Sequence, residues 1–145
     1  MDLYCLEDFK IEFDKLKNKK SYRTIESEIT AYFFDKPVEA LCSGTRLNNS
    51  DEIPYVKKRI AGKGGFRCYY LLDTKKKYLC LMFIHPKTGV RGADNIKDDY
   101  KVYLYKKVLE DIKTSNLFRM SLNASKTQIN FTKIQKAPIT TNPNF

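Results

Sequence analysis

Apolar residues recur along this chain with two different spacings, and the change of period marks its elements. Phe9, Phe13 and Leu16 fall at i, i+4 and i+7, the spacing of a helix with one apolar face, behind a short strand over Leu3 to Cys5. The polar stretch NKK interrupts. Ser21 then stands where an N-cap belongs, ahead of a second helix carrying Ile25, Ile29, Tyr32 and Phe33, which Pro37 ends. The stretch from Cys42 to Ile53, rich in Ser, Asn, Gly and Asp, predicts a loop. Three strands follow, Tyr55 to Ile60, Phe66 to Leu72 and Tyr78 to His85, separated by AGKGG and DTKKK. Bends of that length suit hairpins. After a polar loop the helical spacing returns with Tyr100, Leu104 and Val108, predicting a third helix over residues 96–113. FRMSLNASKTQINFTKI alternates weakly, enough for a strand or hairpin, and QKAPITTNPNF reads as a tail that can move.

The expected fold class is α+β: a small antiparallel sheet, formed by a three-stranded meander plus the N-terminal strand, with two N-terminal helices and one later helix. Residues 1–113 would make one domain, and residues 114–145 a polar, basic C-terminal extension, partly mobile.

Charge sharpens this picture. The net charge is +10 over 145 residues, but residues 57–77 alone carry +7 and residues 114–145 carry +4. A concentrated positive field attracts a polyanion, whereas a diffuse one mainly confers solubility, so nucleic acid is the expected partner. Cys5, Cys42, Cys68 and Cys80 form no C-x-x-C pair, and the chain has a single His, so no zinc-ligand pattern exists and no metal or cofactor is expected. The acidic start lacks the apolar stretch of a signal peptide, and the longest apolar run, YLCLMFI, is too short to span a bilayer. The expectation is a reduced, cytoplasmic protein with no membrane partner.

The cations surround a glycine bend in VKKRIAGKGGFRCYYLLD. This is not a P-loop, since a strand follows instead of the helix whose N-terminal amides would cradle phosphates. Period-two geometry puts Lys57 and Arg59 on one face of their strand and Lys58 on the other, and groups Arg67 with Tyr69 and Leu71. Arg67 within so apolar a strand needs a compensating partner, and a cluster with Lys57 and Arg59 is suited to phosphate. His85, at the end of the next strand, could reach the same phosphate, and imidazole is the usual group for moving a proton near neutrality.

The run VKKRIAGKGGFRCYYLLDTKKKYLCLMFIHPKTG, with two predicted helices before it and one after, resembles the RelE/ParE superfamily of bacterial toxins. The resemblance covers approximately residues 1–113. It implies a RelE-like, metal-independent endoribonuclease that cleaves mRNA, ribosome-dependent or free, by attack of the ribose 2′-hydroxyl on the adjacent phosphate. It also implies neutralisation by a cognate antitoxin protein. Carried over residue by residue, Arg67 matches the phosphate-stabilising strand arginine, His85 the strand-end acid–base position, and Lys57 and Arg59 the basic residues of the catalytic set. Lys58, Lys63, Lys87 and Arg91 fall where RNA contacts are expected. The catalytic tyrosine of other branches has no assigned counterpart: Tyr100 and Tyr103 are expected to pack in the core, and Glu52 to be a solvated loop charge. Two alternatives remain, a ParE-like gyrase inhibitor and a non-catalytic module that binds nucleic acid or protein.

Overall fold

The computed structural model describes residues 1–60, 65–86 and 97–134. Its centre is a seven-stranded mixed sheet in the order β2-β3-β4-β5-β1-β6-β7. The strands are β1 (Asp2–Cys5), β2 (Thr45–Arg46), β3 (Tyr55–Ile60), β4 (Phe66–Asp73), β5 (Tyr78–Pro86), β6 (Phe118–Leu122) and β7 (Ile129–Lys133). The helices are α1 (Glu7–Lys17), α2 (Ile25–Phe33), α3 (Val38–Leu41) and α4 (Asp98–Lys113), with one 3-10 turn at Lys20–Tyr22.

Two apolar layers form because the central strands carry large apolar side chains at both parities. On one face Leu3, Cys5, Val56, Cys68, Tyr70, Leu79 and Leu81 pack against Phe9, Phe13 and Leu16 of α1, Ile25, Ile29 and Phe33 of α2 and Leu41 of α3. On the other, Tyr4, Tyr55, Tyr69, Leu71, Cys80 and Met82 pack against Leu104, Val108 and Ile112 of α4. A strand buried on both faces lies inside a sheet and needs a helical layer on each side. Tyr70 ties the first layer down, its hydroxyl donating to the Leu41 carbonyl at 2.7 Å.

The expectation of a small antiparallel sheet is therefore corrected. β3, β4 and β5 are antiparallel neighbours, but they are less than half of the sheet. β1 lies parallel to β5, with Leu3 opposite Leu79 and Cys5 opposite Leu81, and antiparallel to β6 on its other side. Four residues are enough for this interior position because Leu3 and Cys5 serve one layer and Tyr4 the other. The β6–β7 hairpin adds Met120 and Ile129 to the same core. The backbone N–H of Ile129 donates to the Glu26 carboxylate of α2 at 2.8 Å, and Arg119 pairs with Asp2 at 2.8 Å, so residues 118–133 are built into the sheet. Two local readings change as well. Ser21 lies in the 3-10 turn and α2 begins after Thr24, while Pro37 ends nothing but opens α3 as its N-cap residue.

No helix among the described residues is long and apolar enough to cross a membrane.

Candidate functional site

The candidate site is a row of side chains across three strands. In the antiparallel register Arg59 of β3 stands opposite Arg67 of β4, and Arg67 stands opposite His85 of β5. Directly opposed residues project to the same face with Cα atoms only about 4.5–5.5 Å apart. The row lies on the face covered by α4, as Tyr69 and Leu71 show by sharing Arg67's parity. Two residue pairs further along, Lys57 faces Tyr69, which faces Phe83. Lys57, Arg59, Arg67 and His85 thus converge on one patch of sheet.

His85 joins this face through an irregularity. The pairing jumps from Tyr69↔Phe83 to Tyr70↔Leu81, leaving Met82 as one extra residue on β5. Tyr78, Cys80 and Met82 all belong to the α4 layer. Unbroken alternation would carry that parity to Ile84 and turn His85 to the other face. The bulge resets it, so Ile84 enters the α1–α2 layer and His85 comes opposite Arg67.

The members differ in access. Arg67 is 3% exposed and His85 9%, while Lys57 is half-buried and Arg59 exposed. The solvent-facing side of the row is therefore Arg59 with Lys57, and Arg67 and His85 lie behind them. Rings continue the row toward α4. Phe83 stacks with His85 at 6.4 Å between centroids, and Tyr100 meets Phe83 edge-on at 5.1 Å. Burial pushes the Tyr100 hydroxyl up to about 12, helped by the charge of Asp8, with which it is hydrogen-bonded. Asp8 is itself raised by burial, against the opposing pull of Lys107.

The spacing of Tyr100 with Leu104 and Val108 predicts a core-facing residue, and Tyr100 does pack against the α4-side core. Its contact with Phe83 depends on where α4 lies over β5, which helical spacing does not encode. Tyr103 stacks on Tyr100 at 5.4 Å yet is 47% exposed, so it is no core residue.

Of the remaining expected site residues, Lys58 lies elsewhere. Lys58 occupies the opposite face, where its ammonium donates to the Ala40 carbonyl at 3.2 Å and Ser43 Oγ at 2.8 Å and sits over the Tyr32 ring. Desolvation lowers its pKa, with Lys36 adding to the effect. Lys58 therefore fastens α3 to β3 and is not part of the row. Glu52 is the exposed loop charge expected of it, 54% accessible and paired with Lys75 at 3.3 Å near the β4–β5 turn, the end of the hairpin away from Arg67. Lys63, Lys87 and Arg91 lie outside the described residues. Among the described residues no group of His, Cys, Asp and Glu side chains is arranged to hold a metal ion.

Chemically, the row brings two guanidinium groups and an ammonium beside an imidazole. Guanidinium offers paired N–H donors that match phosphate oxygens, and its charge does not titrate away. No model of a known protein family matches the chain, and no curated protein matches its sequence.

Proposed function

We propose that this protein binds single-stranded RNA and cleaves its backbone at the row formed by Arg59, Arg67 and His85. The observation that carries the reading is the register: two arginines and the only histidine of the chain stand side by side on three adjacent strands. The seven-stranded sheet lends no support to a RelE-like architecture, so the proposal rests on this row and on the +7 charge of residues 57–77.

In the proposed reaction the scissile phosphate enters past Arg59 and Lys57. The two guanidinium groups hold its non-bridging oxygens, where negative charge grows as phosphorus becomes five-coordinate. The neutral imidazole of His85 takes the proton of the ribose 2′-hydroxyl as O2′ bonds to phosphorus. The P–O5′ bond breaks, and the leaving oxygen takes a proton from the Lys57 ammonium. The products are a 2′,3′-cyclic phosphate and a free 5′-hydroxyl. Three neighbouring cations disfavour a divalent metal at the same point.

The test uses a 5′-labelled single-stranded RNA in excess chelator. The parent protein should produce fragments ending in cyclic phosphate, and a single 2′-deoxy nucleotide at the cleavage position should block that cut. His85→Gln should lower turnover at least about 100-fold, the usual worth of a positioned proton carrier, with RNA affinity retained. Unchanged turnover in His85→Gln would remove the imidazole from the reaction. RNA bound with strong salt dependence but never cut would leave the non-catalytic binding module. If mRNA is the cellular target, pulse-labelling after induced expression should show protein synthesis falling first; DNA synthesis falling first would favour gyrase instead.

A further inference from the structure

A second feature shares the face of the row. A groove of about 450 Å³ runs between α4 and the segment leading into β3, lined by Leu47, Tyr55, Val102 and Tyr105, with Lys106 and the Lys101–Asp98 ion pair (3.3 Å) also on its walls. Its volume lies within the roughly 300–1,000 Å³ of small-molecule sites. The Tyr55 and Tyr105 rings lie nearly parallel, 5.5 Å apart and 11° from coplanar. Tyr55 is fixed in that pose because its hydroxyl donates to the Lys101 carbonyl at 3.1 Å. Val102 on α4 is 52% exposed, an apolar side chain left open in the groove wall.

The groove and the row are joined by β3. Tyr55, Lys57 and Arg59 occupy alternate positions of that strand and so share one face. Successive members of this series stand about 7 Å apart along the strand, comparable with the repeat of a stretched-out single strand of nucleic acid. A backbone laid along β3 with phosphates near Arg59 and Lys57 would bring its next base to the groove, where Tyr55 is buried against the half-buried Tyr105 ring and the base would meet Tyr105 and Val102. Aromatic and apolar surface beside a track of cations is how single strands are held without sequence readout, each base stacking while the phosphates meet the charges.

We infer that this groove is a base-binding subsite for single-stranded RNA, taking a nucleobase next to the nucleotide whose phosphate lies at the row. The inference rests on the phosphate-binding reading of the row. An apolar slot bordered by Tyr105, Val102 and Lys106 at one end of β3 would give the strand a path from groove to row.

The experiment exploits the absence of Trp from the chain. Val102→Trp places a single indole in the groove wall at an exposed position, where the fold should tolerate it. It is titrated with an adenine-rich oligoribonucleotide and, separately, with inorganic polyphosphate, which offers the same anionic repeat without bases. The RNA should quench the indole emission, whereas polyphosphate should bind with salt sensitivity and leave the emission unchanged. In the parent background, Tyr105→Ala should weaken RNA binding about tenfold, the scale of one lost base stack, and leave polyphosphate binding alone. Tyr105→Phe should bind RNA like the parent. RNA binding with no quenching, or equal quenching by both polyanions, would overturn the subsite while leaving the row's phosphate role intact. If neither polyanion binds, the phosphate reading falls and takes the subsite with it. Should Tyr105→Ala fail to fold, the Val102→Trp titrations decide the matter on their own.

Discussion

At the scale of single residues, burial sets the chemistry more than sequence neighbours do. Asp8 sits in the first turn of α1, a favourable place for a carboxylate, yet burial beside Tyr100 and Asp111 outweighs the attraction of Lys107 and raises its pKa above 3.8. The folded protein then holds this proton more tightly than the unfolded chain does. Stability from this group is present at low pH and is lost as pH rises from about 3.8 through the folded-state value. Asp8→Asn removes that loss, so its melting temperature at pH 7 should exceed the parent's, with the difference shrinking toward pH 4. A lower melting temperature at pH 7 would mean that the pull of Lys107 outweighs desolvation. The pairing of Lys107 with Asp111 lies within one helix, four residues apart on α4, but nothing local points from Asp8 on α1 to Tyr100 on α4.

At the scale of elements, β3 is the member on which both proposed sites depend. It is braced on one side by β4 and on the other by the two-residue strand β2, with Thr45 opposite Lys57 and Arg46 opposite Val56. The approach of β2 requires Gly44, whose φ is +133°. A Cβ there would meet the Lys57 carbonyl oxygen and Val56 Cγ1, each at 2.8 Å. Gly44→Ala should therefore destabilise the fold by about 1–3 kcal/mol through strain and displacement of β2. It should also shift the amide resonances of Val56 and Lys57. A urea midpoint equal to the parent's would show that β2 contributes little to holding β3. The positions of β3, β4, β5, α1 and α4 were legible in the sequence, because period two or period 3.6 is written locally in each. The two residues of β2 were not, being too few to show a period and lying in a stretch whose Ser, Asn and Gly content reads as loop.

At the scale of the whole molecule, two helical layers around one sheet leave few side chains of the central strands accessible. Cys5, Cys68 and Cys80 are buried and Cys42 only partly so. Desolvation pushes the Cys5, Cys68 and Cys80 thiols far up. Since the thiolate is the reacting form, these three should be inert in the native state. Mild titration at pH 8 with a chromogenic disulfide should find one fast thiol, Cys42, and four after denaturation. Two or more fast thiols would mean that the sheet opens readily on one face.

Local pattern alone places most helices and strands, puts Lys57 and Arg59 on a face from which Lys58 is excluded, and concentrates positive charge around the β3–β4 bend. Each of these follows from the period of the backbone or from counting charges, quantities that need no knowledge of distant partners. Long-range pairing sets the size and sense of the sheet. β1 finds β5 and β6 across more than seventy residues of chain, and pairing at that range is chosen by complementary burial on two faces. Strand pairing also sets the site. The extra residue at Met82 reverses the parity of β5, and with it the face on which the lone histidine meets Arg67. A bulge is a mismatch between two paired strands, so it exists only once they have paired.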